Sequence, residues 1–135
     1  MEGVNDMVLE SVEGSITFFY YEDLERAEEF YGGVMGFEKV IDVDFAKVFR
    51  ISGDAHVGIV DGEKGSMRPT RDKPVMLTVI VDDIEAWHRH LVERGVEIDQ
   101  PPREASYLRM KTLLFRDPED YVIEVLEFLT KPYGT

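Results

Sequence analysis

Apolar and polar positions alternate between two periods along this chain, and the same sequence of periods occurs twice. Ser15 to Tyr21 is an almost unbroken apolar and aromatic run, which predicts a buried strand. Asp23 follows at an N-cap position, where its carboxylate can accept the free N–H groups of a helix. Leu24, Ala27, Phe30, Tyr31 and Val34 then recur at helical spacing, and Gly36 supplies the stop. Strands are predicted at Phe37 to Val43, Ala46 to Ile51 and His56 to Val60, with Ser52-Gly53-Asp54 as a hairpin turn. The order then restarts. Val75 to Val81 is an apolar strand, Asp83 caps a helix carrying Ile84, Trp87, Leu91 and Val92, and Gly95 ends it. Strands recur at Val96 to Ile98, Met110 to Phe115 and Tyr121 to Leu126.

Asp23 and Asp83 lie 60 residues apart, and each is followed by an aliphatic residue and a glutamate. Matched caps and stops favour duplication of one βαβββ unit over coincidence. The chain of 135 residues suits one domain. Its predicted halves are module one at about 14–62 and module two at about 74–128, with a linker at 63–73. Asp61 to Lys73 holds Gly62, Gly65, Pro69 and four basic residues, and reads as exposed. A second loop, Asp99 to Tyr107, carries Pro101-Pro102 and is expected to cover part of a cavity.

Composition narrows the function classes. Hydrophobic residues make up 44% of the chain, enough for an ordinary core. The absence of cysteine excludes disulfides, thiolate nucleophiles and Cys-based metal centres. Twenty-eight acidic against 15 basic residues give a formal charge of −13, which opposes nucleic acid and anionic membrane as partners. It leaves cationic or neutral small molecules open. No apolar run approaches spanning length, and the acidic Met1 to Asp6 lacks the basic-then-apolar order of a signal peptide. The expected location is cytoplasmic.

The module order, together with two local motifs, resembles the vicinal oxygen chelate superfamily (glyoxalase, bleomycin-resistance and dioxygenase proteins). Asp23-Leu24-Glu25-Arg26-Ala27, followed by Phe30-Tyr31 and Met35-Gly36-Phe37, is similar to its first-helix signature. Phe115-Arg116-Asp117-Pro118-Glu119-Asp120-Tyr121, then Ile123-Glu124, is similar to its last hairpin, where Asp120 stands in place of the usual glycine. The resemblance implies an α+β fold of two tandem βαβββ modules, forming a curved, half-open eight-stranded barrel around a cleft. It also implies a homodimer, in some relatives with exchanged modules.

Enzymes of that family hold a divalent metal with four side chains on four strands. By the resemblance, those positions fall on Ile16, Gly58, Met76 and Glu124. Isoleucine and glycine offer no ligand atom, and a thioether is too soft for hard or borderline cations in such a site. Sliding the fourth strand by two residues would bring in His56 and give two ligands at most. The expectation is therefore no metal and no other cofactor.

Side chains alternate across a strand, so residues sharing parity with these positions should face the cleft. The candidate ligand-binding residues are Phe18, Tyr20, His56, Met76, Thr78, Met110, Thr112 and Glu124. Together they describe an apolar, aromatic cavity with a few polar groups, the usual make-up of a small-molecule site. Each has a plainer role available: Phe18 and Tyr20 as core, Met76 as filler, and His56 as a strand residue at the mouth. Glu124 is the candidate catalytic residue, because a carboxylate among Val122 and Leu126 is partly desolvated and suited to acid or base work. Its plainer role is a remnant of a metal site, bonded to Tyr20, Thr78 or water. His88 and His90 point to different helix faces at i,i+2 and are read as surface or packing residues.

Three function classes follow. The first is a metal-independent binder of the bleomycin-resistance type, taking a cationic or aromatic small molecule. The second is a glyoxalase-like lyase or isomerase, or a dioxygenase, either metal-dependent or using Glu124 as general base. The third is a structural or regulatory partner with the cleft filled by Ile16, Phe18 and Met76.

Overall fold

The computed structural model describes residues 11–106 and 109–130. Strand β1 (Ser15–Tyr21) leads into α1 (Leu24–Glu29), which runs on as a π-helical turn over Phe30–Val34. Then come β2 (Glu38–Val43), β3 (Ala46–Ser52) and β4 (Ala55–Asp61). The second module repeats the order as β5 (Met76–Ile80), α2 (Ile84–Glu93), β6 (Ile98–Glu104), β7 (Met110–Arg116) and β8 (Val122–Phe128). Both predicted caps form, with Asp23 accepting from Arg26 N and Asp83 from Ala86 N, each at 3.1 Å. Gly36 and Gly95 end their helices at φ of +74° and +81°, where an L side chain would be strained.

The eight strands make two four-stranded mixed sheets, ordered β1-β4-β3-β2 and β5-β8-β7-β6, and no closed barrel. Within each sheet the first strand of the module runs parallel to the last, and the others pair antiparallel. Parity assigns the two faces. Phe19, Tyr21, Val57 and Ile59 from the first sheet and Val79, Leu113, Phe115, Ile123 and Val125 from the second join one buried core with residues of both helices. That core lies on the helical side of both sheets. The opposite faces are open, leaving Phe18 44% and Met76 48% exposed.

One expectation changes. The second module's next strand lies at Ile98–Glu104, so the segment expected as a loop is largely strand, Pro101 and Pro102 included. Proline lacks an N–H, but β6 is the outermost strand, and its pairing with β7 shifts register twice around Gln100. Edge position and bulges are how a sheet accommodates proline. The linker is largely exposed, as its composition suggests, and is anchored at a few positions. A Cβ on Gly65 would lie 2.5 Å from Val60 Cγ1, and Tyr20 Oη sits 3.3 Å from Ser66 Oγ. Glycine thus lets the linker seat on the open face of the first sheet. Among the described residues no helix is long and apolar enough to cross a membrane.

A buried polar cluster joins the modules. Asp117, in the β7–β8 turn, is 4% exposed and accepts from Tyr21 Oη at 2.5 Å and Tyr31 Oη at 2.8 Å. Its other oxygen accepts from the Glu119 and Tyr121 amides at 2.9 and 3.0 Å. Tyr121 stacks on Phe19 at 4.3 Å, and its hydroxyl donates to Tyr20 O while accepting from Tyr20 N. Glu119 accepts from the amides of Glu22 and Asp23 just ahead of α1. The last hairpin therefore holds the end of β1 and the start of α1.

The same turn stores strain. Asp120 has φ +71° and is the one non-glycine residue with positive φ among those described. Asp120→Gly is expected to stabilise the protein by about 0.5–1 kcal/mol, since the glycine avoids the left-handed penalty. The 3.7 Å contact with Arg116 that it removes is exposed and worth little. A midpoint in urea that does not rise would show the strain to be relieved already.

Candidate functional site

The second sheet's open face carries a pocket. Two rows of side chains cross this face. In one, Gln100 stands opposite Leu114, Leu114 opposite Glu124, and Glu124 beside Thr78. In the next, Arg103 stands opposite Thr112, Thr112 opposite Leu126, and Leu126 beside Ile80. The chain continues past β6 through Ala105 to Ser106, and together with these rows lines a cavity of about 380 Å³. Its lining is Gln100, Arg103, Glu104, Ala105, Ser106, Thr112, Leu114 and Glu124.

Two hydrogen bonds fix the polar groups. Thr78 Oγ1 donates to Glu124 Oε1 at 2.8 Å, and the other carboxylate oxygen takes no hydrogen bond from the described residues. Gln100 Nε2 donates to both the carbonyl and the hydroxyl oxygen of Thr112, each at 3.1 Å. A half-buried carboxylate held on one oxygen and open on the other can bind a cation or accept a proton.

The candidate residues divide between the two sheets. Thr112 and Glu124 line the pocket, Thr78 supports Glu124 from the neighbouring strand, and Met76 stands exposed one pair further along β5. Met110 is buried at 6% exposure, near the start of β7. Phe18, Tyr20 and His56 lie on the first sheet and contribute nothing to this pocket. His56 reaches only Ser15 O, at 3.4 Å. Phe18 lies across its own strand partner, so that a Cβ on Gly58 would fall 2.4 Å from two ring carbons. Pairing one strand with the next makes each half-site, and among the described residues the first sheet lends no side chain to this pocket.

The pocket residues missed by sequence reading are Gln100, Arg103, Glu104, Ala105 and Ser106. All lie in the segment taken as a loop, whose two prolines masked its strand character. Its expected position over a cavity nonetheless matches where β6 stands. Of the two helix histidines, His90 packs by hydrogen bonding through Nε2 to Val34 O at 2.7 Å.

The four metal positions implied by the resemblance can be tested on the donor set. Ile16 and Met76 bring no hard donor, Gly58 is covered by the Phe18 ring, and Glu124 is engaged by Thr78. Among the described residues no three His, Asp or Glu side chains gather in a way that could hold a metal ion. The residues present do not fit a four-ligand divalent site.

Similar proteins share the architecture. Uncharacterized protein YraH of Bacillus subtilis (strain 168) is 24% identical over 117 residues, covering 79% of this chain and 91% of that protein. A crystal structure described as a glyoxalase/bleomycin resistance protein/dioxygenase from Nocardioides superposes with a TM-score of 0.71 at 20% identity, over 97% of this chain and 96% of the other. Lactoylglutathione lyase from Agrobacterium tumefaciens gives a TM-score of 0.70 at 21% identity, over 87% and 93%. At these identities the solved structures speak for the fold alone. Residues 14–125 match the family described as the Glyoxalase/Bleomycin resistance protein/Dioxygenase superfamily, and with two βαβββ modules in family order the chain belongs to it.

Proposed function

We propose that this protein binds a small organic molecule without a metal, in the manner of the bleomycin-resistance branch of its superfamily. The observation that carries this reading is the donor set: of four family ligand positions only Glu124 has a hard donor, and Thr78 already holds it beside an open pocket. The acidic chain, at −13, favours a ligand with cationic character. The protein works as a homodimer. Ile16, Phe18, Met76 and Ile80 are each between 41% and 55% exposed on the open faces, and a second copy covering them would add aromatic side chains to a cleft that one chain leaves half-built.

The test is elemental analysis after dialysis against Ni, Zn, Mn and Fe, followed by a thermal-shift ligand screen. Substoichiometric metal, unchanged in Glu124→Ala, is the expected result, with organic ligands raising the midpoint of the wild type. Stoichiometric metal that Glu124→Ala abolishes would return the protein to the metal-dependent lyases and dioxygenases. Sedimentation at micromolar concentration should give a dimer, and Phe18→Glu should shift it to monomer.

A second reading has one observation in its favour. The free oxygen of Glu124 is open to the pocket while its partner oxygen is fixed, which is the arrangement of a general base in an isomerase or lyase. Turnover of a bound ligand, lost in Glu124→Gln with binding retained, would establish it.

A further inference from the structure

Charge in the Glu124 pocket is paired across its width, and that pairing narrows the class of ligand. Glu124 stands on β8, with one oxygen fixed by Thr78 and the other open. Arg103 stands on the edge strand β6, one row along the same open face, opposite Thr112. Both line the cavity, and the Arg103 side chain has neither hydrogen bond nor ion pair among the described residues. Glu104, the remaining charged residue of the lining, stands opposite Lys111. Lys111 approaches Glu85 of α2 at 3.8 Å, so this row belongs to the helical face of the sheet. The cavity carries the open Glu124 carboxylate on β8 and the open Arg103 guanidinium on β6, with Glu104 beside Arg103 as a second carboxylate of the lining. A hydroxyl at Ser106 and the Gln100–Thr112 pair complete its polar lining.

Resting on the reading that this pocket binds a small molecule, we propose that its ligand is zwitterionic. A cationic amine sits on Glu124, and a carboxylate or other oxyanion sits on Arg103. The two side chains are rooted on strands separated by two interstrand spacings, about 10 Å, so the charges of the ligand are spaced by several bonds. A guanidinium takes an oxyanion through two parallel N–H donors, which sets orientation as well as charge. A purely cationic ligand would leave Arg103 unused and facing its positive charge. A purely anionic one would face Glu124. The cavity thus selects by carrying both signs, whereas the acidic surface as a whole attracts cations without distinction.

The test titrates the full-length protein with β-alanine, γ-aminobutyrate and ε-aminocaproate, with hexylamine and caproate as single-charge controls. Binding is read by NMR shifts at Thr78, Thr112 and Glu124. One of the ω-amino acids is expected to bind roughly ten-fold more tightly than either control. Arg103→Gln should reduce the zwitterion to the affinity of hexylamine, and hexylamine itself should bind at least as tightly as before. Glu124→Gln should reduce it to the affinity of caproate. Hexylamine binding as tightly as every ω-amino acid, with Arg103→Gln silent, would overturn the zwitterion and leave a cation-binding pocket intact. If no probe of either kind shifts these residues, and the thermal-shift screen finds no ligand for the wild type, the binding function itself falls and this inference with it.

Discussion

Asp117→Ala should be the most damaging single substitution in the chain, with an expected loss of about 3–5 kcal/mol. The carboxylate is buried and accepts four hydrogen bonds, two from tyrosine hydroxyls and two from amides of its own turn. Truncation leaves the two amides unpaired and the Tyr21 and Tyr31 hydroxyls with only each other, at 3.1 Å. It also frees the hairpin that holds β1 and α1, so both modules loosen together. Asp117→Asn keeps an acceptor for the amides and should cost clearly less. Urea unfolding of the three proteins checks the order, and an alanine variant within about 1 kcal/mol of wild type would contradict it.

The pH dependence has a definite sign. Burial pushes the Asp117 carboxyl above the ordinary carboxylate range, against the lowering effect of the bonds it accepts from Tyr21, Tyr31 and the two amides. Glu119 and the phenols of Tyr21, Tyr31 and Tyr121 are the titratable groups around it. A folded value above the unfolded one contributes stability below the unfolded value, and that contribution is lost as pH rises through the folded value. Asp117→Asn cannot titrate there. The stability difference between the two proteins should therefore shift toward wild type as pH falls from neutral through the acidic range. A difference independent of pH would show that the carboxyl titrates alike in both states.

Gly58→Val is expected to cost about 1–3 kcal/mol through overpacking. Gly58 is buried on the open face of β4, and its missing Cβ is where the Phe18 ring rests. A side chain there meets two ring carbons at 2.4 Å and Ile16 Cγ2 at 3.3 Å, so the ring must swing outward. Phe18 is already 44% exposed, which keeps the penalty below that of a clash with backbone. Phe18→Ala should rescue Gly58→Val in stability, a coupling that a double-mutant cycle measures. Independent, additive losses would mean that the ring and the glycine do not share this space.

Much of this architecture is written in local patterns. Asp23 and Asp83 cap helices because a short carboxylate at that position satisfies amides within its own first turn, a relation that needs no distant partner. Gly36 and Gly95 end the helices for an equally local reason, the left-handed backbone they adopt. Parity along β1, β5 and β8 then assigns Phe19, Tyr21 and Ile123 to the core and Phe18, Thr78 and Glu124 to the open faces, because a strand has only two sides. The Thr78–Glu124 pair is legible from the same rule once β5 and β8 are neighbours.

Other features depend on which edge meets which, and there local pattern is silent. Pro101 and Pro102 mark a loop in sequence, yet β6 is the outermost strand and its register with β7 skips both prolines; Arg103 joins the pocket only through that placement. The four bonds to Asp117 span up to 96 residues, and no periodicity announces them. The sequence by itself determined the repeated module, the caps and the facing of most strands, since these follow from backbone geometry and side-chain chemistry within a few residues. Only the tertiary structure decided that the two sheets remain separate, that one pocket belongs to the second module alone, and that Asp117 ties the halves together, because contacts between distant segments depend on the packing of the whole chain.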